Sequence, residues 1–362
     1  MIKPLPVPPT STYFPALTGL RMVAASLVFL YHFQDKLSPG LAELLAPFLA
    51  NLHTGVSLFF VLSGFLIAHR YQQTSFPTIQ IYGAYLTIRL LRLWPVYGLI
   101  LAVLYTQWLF TVPEFFLHVS LLMGFFKKLN STGVMQAWSL TVELTFYALA
   151  PLLFQLVRKF SYLLTLVFTF SAGLLLTGLG VILTKLDGNI LGFMPDILFT
   201  AWQTFFGRAP EFFAGMYLAQ VVRFKKHLPF PLPFGLPLTY GGIVLFVLST
   251  CLLSLTTGIH NWPGLVLHHA FMPVSGFIWL AGLIQEKTLV SKILSTRLFK
   301  VLGNASYAFY LIHIGWVRNW LEINYTHSAL LLFVIFWAIA ILIYYLFEKP
   351  IYQRVKSRFR VS

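Results

Sequence analysis

The chain has 362 residues, of which 58% are hydrophobic and only 10% are charged, and its mean hydropathy is +0.79. This composition excludes a soluble globular protein and predicts a polytopic membrane protein. The single cysteine, Cys251, excludes an intrachain disulfide and a structural cysteine cluster for zinc. No metal ion is expected.

The first predicted element is an apolar helix, 17–33, that carries one arginine and one histidine. The eleven-residue step from Arg21 to His32 returns to the same helix face roughly 16 Å further along. Ionisable residues inside a membrane span usually face the bundle interior and mark a ligand path or a proton-transfer site. We therefore interpret Arg21 and His32 as one functional stripe. The alternative is that both side chains snorkel to the membrane interfaces.

Apolar windows of spanning length predict an all-α bundle of about ten transmembrane helices. The windows lie at about 16–34, 54–70, 93–111, 138–157, 161–183, 204–222, 239–258, 264–285, 303–322 and 328–347. A further apolar piece, 114–126, is short for a crossing and favours a re-entrant or interfacial segment.

The basic residues orient this topology. With a cytoplasmic N-terminus, 18 of the 25 Lys and Arg residues lie inside and six outside, with Arg21 within the first span. This bias obeys the positive-inside rule and accounts for most of the formal net charge of +15 without nucleic acid. We expect a protein of the plasma (inner) membrane with both termini cytoplasmic. Its parts would be an N-terminal segment 1–15, a transmembrane domain 16–347 and a basic tail 348–362.

The second window reads GVSLFFVLSGFLIAHR, in which small residues stand among bulky ones. Small residues let helices approach closely, so a packing seam is at least as good an interpretation as substrate contact. Ser63 is placed on the substrate path with a packing or hydrogen-bonding role.

The sequence RLLRLWPVY precedes the third window and places Arg89 and Arg92 on one helix face. Two guanidinium groups at this spacing can bind phosphate oxygens through paired hydrogen bonds, which suits a phosphorylated donor. Anchoring on anionic lipid is the alternative.

The fourth window begins with WSLTVELTFY and carries Glu143 within its first turns. Because the first and fourth spans run in opposite directions, His32 and Glu143 are predicted at comparable depth. Glu143 would then orient the imidazole of a general base. A carboxylate stabilised by the helix dipole is the alternative. Trp138 and Ser139 are placed on the substrate path.

The sequence NASYAFYLIHIGW places Tyr310 and His313 in the ninth window, where aromatic side chains can line an acyl or sugar path. A satisfied interior histidine is the alternative for His313.

Seven blocks in a fixed order carry a resemblance that extends from residue 17 to residue 350. They are LTGLRMVAASLVFLYH, GVSLFFVLSGFLI, RLLRLWP, WSLTVELTFY, EFFAGMYLA, SYAFYLIH and FEKP. In this order the chain resembles the acyltransferase-3 family of multipass membrane proteins, which modify carbohydrates and some other acceptors with acyl groups. The resemblance implies that His32 is the catalytic base. It also implies that Arg89 and Arg92 help to hold acyl-CoA, with Arg21 contributing to the same path.

One position departs from the family pattern. Many relatives carry an acidic residue where this chain has Ser57. A partner role of that carboxylate does not transfer here, and Glu143 becomes the stronger candidate.

The expected function is transfer of an acyl group, acetyl by default, from acyl-CoA to a hydroxyl of a carbohydrate or glycolipid acceptor. A transporter or flippase of a lipid-linked saccharide is the alternative, because intramembrane charges suit both classes. Transporters often contain paired repeats with broken helices, and the sequence has no such pairing.

Overall fold

The computed structural model describes residues 13–37, 39–106, 110–186, 188–224, 236–256 and 261–358. Within these ranges the chain is helical and forms no β-strand, so the predicted all-α class is confirmed. The sixteen α-helices of the described ranges are α1 (Pro15–His32), α2 (Pro39–Leu49), α3 (Gly55–Tyr71), α4 (Ile79–Tyr105), α5 (Val112–Val119), α6 (Trp138–Lys159), α7 (Tyr162–Lys185), α8 (Ile197–Gln203), α9 (Phe205–Arg223), α10 (Leu238–Ser254), α11 (Trp262–Gln285), α12 (Leu289–Leu294), α13 (Arg297–Ile312), α14 (Trp316–Asn324), α15 (Ala329–Ile343) and α16 (Lys349–Arg358). A π-helix, Tyr344–Glu348, joins the last two.

Six helical segments of the described residues are long and apolar enough to cross a membrane. They are Leu52–Tyr71, Ile79–Tyr105, Met135–Lys159, Tyr162–Lys185, Trp262–Gln285 and Ala329–Arg354. The chain is therefore a membrane protein, but the predicted count of about ten spans is not confirmed. Three further windows coincide with α1, α9 and α10. Charged residues make α1 and α9 less apolar than the six segments, and α10 has only 17 residues.

The predicted single span at 303–322 is wrong, because the structure has two helices there. Helix α13 ends at Ile312 and α14 begins at Trp316. Between them Gly315 adopts a φ of +84°, which is accessible to glycine and interrupts a right-handed helix. His313 therefore lies at the C-terminal end of α13.

The helix that contains most of the third window begins earlier than the window. Helix α4 begins at Ile79, where the Thr78 hydroxyl accepts a hydrogen bond from the Ile81 amide over 3.4 Å. Arg89 and Arg92 therefore lie inside a spanning helix. Pro95 is also inside it, because membrane helices tolerate proline where neighbouring groups satisfy the freed backbone.

The short apolar piece 114–126 overlaps α5, which has eight residues. Thr111 and Glu114 form a capping box at its start, which satisfies two amide groups that the helix leaves unpaired. A helix of this length cannot cross the bilayer, in agreement with the prediction of a segment that does not span.

The chain divides into two compact units, as far as the structure describes them. The first unit contains Arg70–Ala209 and Leu342–Ser362, and the second contains Thr12–His69 and Pro210–Ile341. The predicted segment 1–15 lies mostly outside the described residues, as do the last residues of the predicted tail, from 359 onward.

In the second unit, α1 packs closely against α12 and α13. A Cβ atom at Gly303 would lie 1.8 Å from the Thr18 carbonyl oxygen, and one at Gly19 would lie 2.1 Å from the Leu294 carbonyl oxygen. Neither position has room for a side chain. This close approach aligns α1 with α13 and brings their C-terminal ends together.

Candidate active site

His32 is the last residue of α1 and is half-buried. Its main-chain carbonyl accepts a hydrogen bond from Arg318 Nη1 over 2.9 Å, and Arg318 Nε donates to Glu322 Oε1 over 2.9 Å. The last carbonyl groups of a helix have no partner within the helix, and a cation there also interacts favourably with the helix dipole. Arg318 therefore holds the main chain at the position of His32.

The imidazole rings of His32 and His313 lie next to each other, with ring centroids 5.3 Å apart. His313 is completely buried. Its Nδ1 lies 2.8 Å from the Tyr310 carbonyl oxygen. Sequence analysis selected both histidines, but it assigned His313 to the substrate path and did not predict this contact.

Aromatic rings enclose His313. The Phe309 ring lies parallel to the imidazole at a centroid distance of 6.0 Å, while Tyr310 and Phe29 lie at 5.7 Å and 6.4 Å. The imidazole is thus fixed in an apolar pocket, with the more accessible His32 beside it.

Arg21 lies on α1 with His32, as the eleven-residue spacing predicts, and it is half-buried. Ser63 is buried on α3. Its neighbour Gly64 approaches α9 so closely that a Cβ atom there would lie 2.2 Å from the Phe212 carbonyl oxygen. This close approach shows that a small residue of α3 forms part of a packing seam, while the role of Ser63 stays a prediction.

A buried polar cluster in the second unit was not predicted. Ser57 Oγ lies 3.2 Å from His268 Nε2, which lies 3.9 Å from Glu211 Oε1, and all three side chains are at most 2% exposed. The cluster links α3, α11 and α9. The available signal was a histidine pair, His268 and His269, in an apolar window.

The first unit holds the two arginines of α4 in different surroundings. Arg89 is only 7% exposed, and its guanidinium carbon lies 4.8 Å from the Tyr71 ring centroid and 5.9 Å from those of Tyr85 and Tyr147. Such cation–π contacts stabilise a desolvated guanidinium. Arg92, one turn further along, is half-buried. The two arginines therefore differ in their access to a ligand.

Glu143 belongs to the same part of the first unit. Its Oε1 accepts a hydrogen bond from the Tyr147 hydroxyl, one helical turn further along α6. Because the Tyr147 ring also faces Arg89, the structure connects Glu143 to the tyrosine cage of Arg89. This connection was not predicted from the sequence.

The two remaining predicted residues lie at the start of α6. Trp138 packs near Trp202, with ring centroids 6.2 Å apart. The hydroxyl of Ser139 is buried and donates to the Gln136 carbonyl over 2.9 Å, which is a local contact at the helix start. Among the described residues, no group of three or more His, Cys, Asp and Glu side chains has the arrangement of a metal site.

A family model described as an acyltransferase domain matches residues 14–348. Proteins named "Putative O-acetyltransferase" from Staphylococcus aureus strains COL, MSSA476 and MRSA252 are each 23% identical over 376 residues, covering 96% of this chain and 57% of their own length. The chain thus spans little more than half the length of these curated relatives. No solved structure gives a significant match. Because the family model extends from the start of α1 to the π-helix, this protein belongs to the acyltransferase-3 family.

Proposed function

We propose that this protein is an integral membrane O-acyltransferase. It moves an acyl group, acetyl by default, from acyl-CoA to a hydroxyl of a carbohydrate or glycolipid acceptor. The observation that carries the proposal is His32, whose main-chain carbonyl is held at the end of α1 by Arg318, in a chain of the acyltransferase-3 family. The names of the Staphylococcus aureus relatives favour acetyl as the transferred group.

His32 is the proposed general base. It takes the proton of the acceptor hydroxyl while the hydroxyl oxygen attacks the thioester carbonyl carbon. The carbon–sulfur bond then breaks, the new ester forms, and the imidazolium returns the proton to the leaving CoA thiolate. A positioned base of this kind contributes about 10²–10⁴-fold to the rate.

Arg89, Arg92 and Arg21 are the proposed donor-binding residues. Guanidinium groups form paired hydrogen bonds with phosphate oxygens, and acyl-CoA carries several phosphates. The half-buried Arg92 is the more accessible residue on α4, while Arg89 is held among tyrosines. The roles of Glu143 as a partner of the base and of Ser63, Trp138, Ser139 and Tyr310 along the substrate path remain predictions.

The proposed location is the plasma (inner) membrane, with both termini in the cytoplasm and 16–347 as the transmembrane domain. The distribution of lysine and arginine supports this orientation. Acyl-CoA would then enter from the cytoplasmic side.

The test uses membranes that contain the full chain, incubated with radiolabelled acetyl-CoA. Label is expected to enter a glycan or glycolipid fraction, and mass spectrometry of envelope glycans should show one additional acyl group relative to a deletion strain. The variant His32→Ala should lose this transfer while remaining in the membrane. Movement of a lipid-linked sugar without acetyl-CoA, and without label transfer, would contradict the enzyme and favour a transporter.

A further inference from the structure

The hydrogen bond of His313 to Tyr310 determines which nitrogen of His313 carries a proton. The Tyr310 carbonyl oxygen has no hydrogen to donate, so His313 Nδ1 must be the N–H donor of the 2.8 Å contact. In a neutral imidazole the other nitrogen is then unprotonated and accepts hydrogen bonds. His313 Nε2 is therefore an acceptor.

The acceptor atom His313 Nε2 is buried and accepts no hydrogen bond within the described part of the chain. Among the described residues, His313 Nε2 has no hydrogen-bond partner, and the side chain is completely buried. A buried acceptor without a partner is unfavourable, so an isolated site of this kind calls for an explanation. The adjacent Phe29 and Phe309 rings carry no N–H or O–H group, and the hydroxyl of the adjacent Tyr310 makes no hydrogen bond to Nε2.

His32 is an adjacent side chain that carries a possible donor. The two ring centroids are 5.3 Å apart, a separation at which ring nitrogens that face each other reach hydrogen-bond distance, about 3 Å. Catalytic hydrogen bonds are often long in the absence of substrate and shorten in the reactive complex. The rings meet at 47°, so the hydrogen bond requires a rotation of the His32 side chain that aligns the nitrogens.

We propose that His313 is the positioning residue of this site, accepting a hydrogen bond from a ring N–H of His32. The inference rests on the proposed function, since it requires His32 to be the base. With one His32 nitrogen held as the donor to His313, the other is left unprotonated and free to take the acceptor's proton. His313 is completely buried and His32 is half-buried, so His32 is the more accessible of the two to substrate.

Two residues then orient the base. Arg318 fixes the main chain through the His32 carbonyl, and His313 fixes the ring and its tautomer. A neutral imidazole thus takes the place that a carboxylate occupies in other catalytic arrangements.

Kinetics of His313→Leu and His313→Gln test this proposal in the full-length protein. Leucine removes the acceptor, so kcat should fall about 100-fold, the cost of a misplaced catalytic group, while the KM for acetyl-CoA stays unchanged. Glutamine can present its amide oxygen near the position of Nε2, so kcat should recover to within about tenfold of wild type. The matched control is His118→Leu, which removes another buried imidazole, one whose Nε2 already contacts Thr132 Oγ1 at 3.1 Å. Its kcat per folded enzyme should equal that of wild type.

Nitrogen-15 NMR of histidine-labelled protein provides a second measurement that does not depend on turnover. His313 should show a protonated Nδ1 and an unprotonated Nε2. His32 should show one tautomer, which is retained in His313→Gln and becomes a mixture in His313→Leu. A wild-type His313 protonated at Nε2 would overturn the proposal even if the leucine variant failed to fold. Wild-type kcat in His313→Leu, alongside an inactive His32→Ala, would overturn the inference and leave the proposed function intact. Turnover that persists in His32→Ala would instead overturn the proposed function.

Discussion

Arg318 donates a hydrogen bond to the main-chain carbonyl of His32 over 2.9 Å, and its guanidinium carbon lies 4.1 Å from the ring centroid of Phe33. Phe33 is completely buried and stacks on Phe29 at a centroid distance of 4.0 Å. The same arginine pairs with Glu322, which also lies 3.5 Å from Lys36. The Arg318 side chain thus connects helix α14 to the end of α1, and the position of His32 depends on this contact.

Replacing Arg318 by glutamine is expected to weaken both the fold and the reaction. The His32 carbonyl loses a charged donor at a helix C-terminus, so the free energy of unfolding should fall by about 1–2 kcal/mol. Because His32 then becomes less precisely placed, kcat should fall about tenfold or more. Thermal unfolding in detergent and acetyl-transfer kinetics measure the two effects.

The matched control is Arg223→Gln. Arg223 donates to the main-chain carbonyl of His69, near the end of α3 in the same unit. This variant should lose comparable stability without the loss of kcat per folded enzyme. Equal losses of kcat in the two variants would show that Arg318 has no special relation to His32.

Glu322 makes the stability of this region depend on pH. Partial burial alone would raise the pKa of the Glu322 carboxyl, but the hydrogen bond and charge of Arg318, with the charge of Lys36, hold the pKa below its ordinary value of 4.5. A lowered carboxyl pKa contributes stability above the pKa of the unfolded chain, and this contribution disappears as pH falls through the folded value. The melting temperatures of wild type and Glu322→Gln should therefore differ by a constant amount between about pH 7 and pH 5.5, and the difference should shrink as pH falls below 4.5 and through the lowered pKa. A difference that grows on acidification would contradict this assignment.

Local features of the site were predictable from the sequence, whereas its tertiary contacts were not. Helical periodicity placed Arg21 and His32 on one helix because the pattern lies within a single element. The break at Gly315 was missed because averaging over an apolar window does not detect a positive φ. The pairing of His32 with His313 was missed as well, because it depends on the close packing of α1 against Gly303.

The arginines of α4 illustrate a second limit of sequence reasoning. The apolar window placed them before the third span, and their spacing suggested paired binding of phosphate oxygens. The structure places both inside the helix and encloses Arg89 among tyrosines from three segments of the first unit. Burial of a guanidinium among aromatic rings depends on residues distant in sequence, and no local pattern encodes it.

Arg89 and Arg92 should therefore respond differently to replacement. The variant Arg89→Leu should lower the melting temperature, because the tyrosine cage loses its cation–π contacts, worth about 2 kcal/mol for a desolvated group. The variant Arg92→Ala should leave the melting temperature unchanged and raise the KM for acetyl-CoA about tenfold, because it removes an accessible phosphate ligand. Thermal unfolding and steady-state kinetics at varied acetyl-CoA distinguish the two. An unchanged melting temperature in Arg89→Leu would show that the tyrosine cage does not stabilise the fold through Arg89.

Gly303 tests whether the packing of α1 against α13 positions the two histidines. A methyl group at this position would lie 1.8 Å from the Thr18 carbonyl oxygen, so the helices must separate in Gly303→Ala. Overpacking of this kind costs roughly 1–3 kcal/mol of unfolding free energy, and the displaced ring of His32 should lower kcat about 10- to 100-fold.

The control for this substitution is Gly83→Ala on α4, where a Cβ atom would have no neighbour within 4 Å. Alanine there should raise the free energy of unfolding by about 0.5–1 kcal/mol, because it reduces the entropy of the unfolded chain and favours the helix. Thermal unfolding should show that Gly303→Ala lowers stability and Gly83→Ala raises it, although the chemical substitution is the same. The kcat of both variants is measured alongside. If Gly303→Ala retained the melting temperature and turnover of wild type, α1 and α13 would have room for a methyl group at Gly303, contrary to the 1.8 Å separation of the added Cβ atom from the Thr18 carbonyl oxygen. The His32–His313 pairing would then lose its structural support.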